Sequence, residues 1–311
     1  VPDLIAAARR VADEVLAPAA ETTDASGVLP PGHLDALAAA GLYGLGAGDE
    51  DFLDVCRAIE ILAAACLTTA FVLTQHQGAV QVVAGAAPSA LRERWLAPMV
   101  RGERRVGLAF TGAALPGPAL LHATPQRDGW RLDGLTPWVT GWGLVDALHV
   151  AGRAPDGRVV WGLLDAGADG LAAEPLRLLA VEASATVRAT FAAVALPAER
   201  VTQITAPPTG PAVVPHGTRI HAALSLGVAS RCVALLESER LALEVAAVRA
   251  RLDAALEDPV AMVQARTEVA ELTIRAAGAL LVRTGARGVA VPGAPQRLAP
   301  IKAALLERLG A

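Results

Sequence analysis

An α+β fold in helical–sheet–helical order is what this sequence predicts, on three observations. Apolar residues recur at helical spacing through the first hundred residues, and alternate singly from Arg105 to about Leu196. They return to helical spacing after the proline-rich stretch 206–211. Asp-Gly turn signals punctuate the middle stretch. At 311 residues the chain exceeds the usual single-domain size of about 100–200, so more than one unit is expected. The expected units are an all-α domain over 1–103, an antiparallel β domain over 104–204 and a helical bundle over 212–311.

In the first unit Leu4, Ala7, Ala8, Val11 and Val15 share a helical face, and Pro18 is expected to end that helix. Residues 33–40 form a second helix stopped by Gly41. Residues 52–84 are apolar with helical periodicity, with a break expected around Gly78. Ser89 caps a helix over 90–100, and Gly102 ends it. In the middle unit, 106–110, 148–153, 159–164 and 186–196 read as strands, the last stopped by Pro197. Asp128-Gly129, Asp133-Gly134 and Asp156-Gly157 suit tight turns. Residues 222–236, 241–256 and 261–282 are Ala/Leu-rich helices, followed by a Gly/Pro-rich loop over 285–295 and a last helix over 301–309.

Composition narrows the partners. Hydrophobic residues make up 53%, charged residues only 19%, and mean hydropathy is +0.43. That balance predicts helices that bury more than one face, as in an oligomer. The apolar run 61–73 is only about two-thirds of a bilayer span and is bounded by Glu60 and Gln75-His76-Gln77, so it reads as a core helix and no membrane is expected. Val1-Pro2-Asp3-Leu4 shows no basic segment followed by an apolar run, and a cytoplasmic location is expected. A net charge of −4 and a pI near 5.9 exclude a basic nucleic-acid stripe, and Arg101–Arg105 reads as a solvated loop. Cys56, Cys66 and Cys232 sit in apolar helical contexts at unrelated spacings and read as buried free thiols.

Several motifs fail on context. Gly44-Leu45-Gly46-Ala47-Gly48 follows a helix instead of a strand, and Asp49-Glu50-Asp51 would repel phosphate. His216 and His221 are five apart, too far round a helix to share a metal. No Gly-x-Ser-x-Gly elbow and no Walker lysine loop occurs. The stretch from Asp128 to Gly143 is different. It holds three of the five tryptophans, and Trp138-Val139-Thr140 offers a ring face with a hydroxyl two residues on, on the same side of a strand. Such a pair suits the edge of a flat conjugated cofactor. A hairpin with buried tryptophans accounts for the same residues, and both readings stand at this point.

The order of elements together with Trp138-Val139-Thr140 resembles the acyl-CoA dehydrogenase family along nearly the whole chain. The run from Ser89 to Glu103 is similar to the segment joining the family's N-terminal helices to its β domain. Leu108-Ala109-Phe110-Thr111 falls at the first flavin-contacting strand and Gly129–Gly143 at the second. Phe191–Val201, with Val194, Pro197 and Arg200, resembles the end of the β domain. The resemblance implies an FAD site. Thr111 would meet the pyrimidine edge of the isoalloxazine, with Leu108 and Phe110 lining the pocket. Trp138 and Val139 would pack at the ring and Thr140 would bond near N5. Gly285 and Gly288 would lie in the turn that meets the adenine end from a neighbouring subunit, although Ala286 replaces that turn's second glycine. The implied reaction is α,β-dehydrogenation of an acyl-CoA or acyl-carrier thioester, by α-proton removal and hydride transfer to flavin, in a homodimer or homotetramer.

The pattern breaks at the base. Pro215–Ala222, where one family glutamate would stand, has no acid, and about a dozen residues that carry the other are missing between Ala299 and Pro300. The chain is also short after Gly48 and around Glu237-Ser238-Glu239. Gly112-Ala113-Ala114-Leu115-Pro116-Gly117 replaces a loop whose serine meets the pyrophosphate, and no Arg-x-x-Phe-Gly motif is visible. Three readings follow: an FAD-dependent acyl-CoA dehydrogenase, a flavoprotein with other chemistry such as oxygen-dependent monooxygenation, or a non-catalytic partner or acyl-binding subunit.

Overall fold

The computed structural model describes residues 3–85, 88–208 and 214–285. Helix α1 (Leu4–Val11) starts at Asp3, whose carboxylate accepts the Ile5 and Ala6 N–H groups. Pro18 does not end it. A π-helical turn over Ala12–Leu16 takes up the missing N–H and the crowded carbonyl, and the chain runs on as α2 (Ala17–Ser26). Helix α3 (Pro31–Ala39) stops at Gly41, which is left-handed at φ 74°.

Helices α4 (Phe52–Ala65) and α5 (Leu67–Gly85) break at Cys66, in extended conformation, and not at Gly78. Gly78 stays helical because it serves packing: a Cβ there would stand 3.2 Å from Leu108 Cδ1. Helix α6 (Ser89–Val100) is capped by Pro88 instead of Ser89 and ends at Gly102, φ 69°.

Eight strands follow: β1 (Val106–Ala109), β2 (Leu121–Gln126), β3 (Gly129–Val139), β4 (Ala147–Arg153), β5 (Val159–Asp165), β6 (Leu171–Pro175), β7 (Val187–Pro197) and β8 (Val201–Thr205). They form one sheet in the order β6-β7-β3-β2-β4-β5-β8, with β1 on β4. The sheet is mixed and not wholly antiparallel, since β1 and β2 both run parallel to β4. Strands β2, β6 and β8 escape the periodicity. β2 carries a proline, while β6 and β8 are edge strands with little buried apolar surface.

Asp133-Gly134 is not a turn. It is a bulge inside β3, with Gly134 at φ 124° and the Asp133 carboxylate accepting the Ala193 N–H at 2.8 Å.

Helices α7 (Pro215–Leu236), α8 (Glu239–Ala254) and α9 (Pro259–Thr284) close the described chain. By length and composition α7 could cross a bilayer, yet 67% of its apolar window is buried, mostly against α4 and α9. At Gly227 a Cβ would stand 2.5 Å from the Glu60 carbonyl, so the two helices meet backbone to backbone. Arg219, fully buried on α7, pairs with Glu60 of α4 at 2.9 Å and Asp253 of α8 at 2.8 Å. Arg249 and Arg57 also reach Glu60, at 2.8 and 3.4 Å. Two of the short junctions are tight turns: Asp51 caps α4 directly, and Glu237 and Ser238 alone join α7 to α8. The expected helix over 301–309 and the junction at Ala299 lie outside the described residues.

Candidate functional site

His76 fixes the first expected cofactor strand. Its Nδ1 accepts the Val106 N–H at 3.0 Å, so its Nε2 donates to the Met99 carbonyl at 3.1 Å. Burial drops its pKa to about 4 and keeps it neutral. One imidazole thereby ties α5, α6 and β1 together.

Two glycines then set β1 and its following loop against the end of β3. A Cβ at Gly107 would stand 3.0 Å from the Thr140 carbonyl, and one at Gly112 only 2.4 Å from the Leu135 carbonyl. The Gly112 N–H donates to the buried Thr136 hydroxyl at 3.0 Å. The two segments singled out in the sequence, 108–111 and 138–140, therefore lie side by side. Leu108, Phe110 and Thr111 are half-buried there. The Phe110 ring is 6.1 Å from Trp161, which stacks on His149 at 5.4 Å. His149 is buried, bonds the Thr202 hydroxyl at 3.0 Å, and is likewise held to a pKa of about 4 by desolvation.

Trp138 is 57% exposed and sits at φ 62°. The register slips there: Thr136 faces Ala189 but Val139 faces Val187. This bulge undoes the expectation that Trp138 and Thr140 share a face. Val139 is fully buried, and Thr140, 3% exposed, turns its hydroxyl to Thr186 Oγ1 at 3.1 Å. Thr186 in turn meets Ser184 Oγ at 2.7 Å. The sequence reading missed Ser184 and Thr186. Their only signal was a Ser-x-Thr pair where the predicted strand over 186–196 begins.

Arg153 was missed as well. Its guanidinium donates to the carbonyls of Ala113 and Leu115 at 2.6–3.0 Å, holding the loop after β1 by backbone alone. Gly285, φ 62°, caps α9 well outside the sheet segments, bonding Leu281 and Val282 carbonyls. Gly288 lies outside the described residues.

No acid occupies the first turn of α7; its exposed His216 ring rests 4.7 Å from Phe52. Thr68 lines a cavity of about 60 Å³ between α2, the α4–α5 break and α7. Thr69 instead bonds Cys66 Sγ at 3.2 Å and His33 Nδ1 at 2.9 Å, and Gln75 bonds its own helix at Phe71. Among the described residues no group of three His, Cys, Asp or Glu is gathered for a metal. The thiols of Cys56 and Cys232 are both pushed up to about 12 by burial, which makes them inert.

A flat ring system fits this surface. An exposed indole is held in a conformation that costs about 1–3 kcal/mol, beside half-buried apolar side chains and the hydroxyl of Thr111. The model of the acyl-CoA dehydrogenase N-terminal domain matches residues 3–103. Butyryl-CoA dehydrogenase from Megasphaera elsdenii superposes at a TM-score of 0.84 and 20% identity, over 98% of this chain and 92% of that one. Residues 3–103 thus match the N-terminal domain of acyl-CoA dehydrogenases, and the whole chain has the fold of the solved butyryl-CoA dehydrogenase.

Other solved proteins share the fold. Glutaryl-CoA dehydrogenase from Mycobacterium smegmatis, solved with FADH2, gives a TM-score of 0.75 at 18% identity, covering 98% of this chain and 89% of that one. Dibenzothiophene monooxygenase from Paenibacillus sp. A11-2 gives 0.77 at 18%, covering 99% and 93%. No curated protein sequence matches the chain.

Proposed function

We propose that this chain is an FAD-dependent oxidoreductase of the acyl-CoA dehydrogenase type, acting on an acyl-CoA or acyl-carrier thioester. The observation that carries the reading is Trp138. A large apolar ring is kept 57% exposed, at a backbone angle that a glycine would adopt more cheaply, beside the segment Leu108–Thr111. Leu108, Phe110 and Thr111 would line the ring site, with Trp138 against the ring and Val139 and Thr140 behind it. Gly285 and Gly288 would serve the adenine end in a homodimer or homotetramer, and the protein would work in the cytoplasm.

A bound flavin supplies an electron sink for the substrate's hydride. The chain's own part is to hold both flavin-facing segments at fixed spacing through His76, Gly107 and Gly112 and to keep water from the ring with Trp138. An α-proton base is a further requirement of the dehydrogenase reaction, and a positioned base is typically worth 10²–10⁴ in rate. The acid-free first turn of α7 therefore favours a second reading: flavin chemistry that needs no such base, such as monooxygenation, or a non-catalytic partner subunit.

The first test is the visible spectrum of the purified protein after incubation with FAD and removal of the excess. A retained flavin spectrum is the expected result, and bleaching by acyl-CoA would then separate dehydrogenation from other chemistry. Folded protein without flavin would overturn the proposal.

A further inference from the structure

Thr68 is only 8% exposed, yet its hydroxyl bonds no group of the protein among the described residues. Buried side-chain oxygens are nearly always hydrogen-bonded, so a hydroxyl in this state has a bond to give. The residue lines the cavity of about 60 Å³ between α2, the α4–α5 break and α7.

Arg231 of α7 lines the same cavity. Arg219 and Arg249 are spent on Glu60 and Asp253, but the half-buried Arg231 guanidinium makes no ion pair and no hydrogen bond among the described residues. Its donors and its charge are uncommitted. Helix α5 also begins here, with Cys66 and Leu67 in the cavity wall, so the positive end of its dipole adds to the field. Asp24 of α2 is the acid at the cavity, and it has a partner of its own.

Part of the wall is strained. Val181 lines the cavity beside Ala180 and sits in the left-handed region at φ 52°, a genuine outlier for a β-branched residue. Such strain persists only where the surroundings over-determine it, and it gathers at ligand sites. Here the Val181 carbonyl accepts the Ser184 N–H at 2.8 Å, and the N–H groups of Gly141 and Trp142 hold the Ser184 and Ala185 carbonyls at 2.9 and 3.1 Å. The remaining wall is short and apolar, with Ala17, Ala20, Ala63 and Val228. Its volume has room for about four to six non-hydrogen atoms.

We propose that this cavity is a binding site for a short-chain aliphatic carboxylate. The carboxylate meets the Arg231 guanidinium, whose fork matches it in shape and charge, and accepts the Thr68 hydroxyl. The alkyl chain lies against Ala20, Ala63 and Val228. The site is distinct from the Trp138 surface and does not rest on the flavin reading. An amine of the same length would set a cation against Arg231, so the sign of the ligand's charge decides binding.

The probe is sodium butyrate, titrated calorimetrically into the purified full chain at constant ionic strength, with butylammonium chloride as the control. The expected result is saturable one-to-one binding of butyrate, with a Kd of about 1 mM or tighter, and no saturable binding of butylammonium. Arg231→Gln should weaken butyrate binding at least about tenfold. Because it has no ion pair to lose, that variant should melt within about 2 °C of wild type. Thr68→Val keeps the shape without the hydroxyl and should weaken binding about threefold to tenfold. Ala20→Leu fills the cavity and should abolish binding. A wild type with no saturable butyrate binding overturns the proposal, and so does equal binding of butylammonium. Binding that survives both Arg231→Gln and Ala20→Leu would put the anion elsewhere and overturn it too. Should Ala20→Leu fail to fold, Arg231→Gln and Thr68→Val decide in the same way.

Discussion

At the residue scale the informative fact is a large side chain in the wrong backbone region for its type. Trp138 gives up about 1–3 kcal/mol to stand exposed at φ 62°, where glycine would stand without strain. Stability and ligand binding should therefore move in opposite directions on Trp138→Gly. The melting temperature is expected to stay level or rise, while retained FAD falls at least tenfold. A variant that melts lower yet keeps its flavin would show that the indole serves the fold. The sequence announced this residue through its neighbours, but not its geometry. Alternation puts residues 138 and 140 on one face, and only the slip against Ala189 and Val187, a property of β7, separates them. The same holds for Thr186, which became part of the site because another strand brought it there.

Between elements, the legible and illegible parts divide by range. Helices with an apolar stripe were readable because their cause is local. Breaks were misplaced where the cause lay elsewhere: Gly78 serves contact with Leu108, so Cys66 takes the break, and Pro18 is absorbed by a π turn. The joint of α4, α7 and α8 was wholly illegible, since Glu60, Arg219 and Asp253 are distant in sequence. Arg219→Ala leaves Glu60 to Arg249 and Arg57 and strands part of the buried acid. Breaking such a pair costs about 3–5 kcal/mol, to be read as a lower denaturant midpoint at constant slope. Gly227→Ala tests the same joint sterically. Its methyl would meet backbone at 2.5 Å and force α7 off α4, at a cost of about 1–3 kcal/mol. Free accommodation of either change would mean that the helices are not clamped there.

For the whole molecule, buried neutral histidines set an acid limit on stability. His76 joins the helices to β1 and His149 sits inside the sheet, and each is held to a pKa of about 4 by burial. Burial lowers His33 in the same direction. An unfolded histidine takes its proton near pH 6.5, so between about 6.5 and 4 the unfolded chain binds protons that the folded chain refuses. The stabilisation is complete above pH 6.5 and is lost as pH falls. His76 and His149 each contribute a slope approaching about 1.4 kcal/mol per pH unit and about 3 kcal/mol in all, and His33 adds in the same direction. The shifted carboxylates Glu103 and Glu244 sit below their ordinary range, so their contribution is lost only as pH falls through and below about 4.5. The window from pH 6.5 to 5 therefore isolates the imidazoles. Urea unfolding across it should show stability falling steadily toward acid, and His149→Gln should flatten the slope by about one proton. Because His76 bridges α5, α6 and β1, the loss should be global, with helical and tryptophan signals melting together. A slope that is flat across the window, or that rises toward acid, would mean that these histidines take up protons in the folded chain.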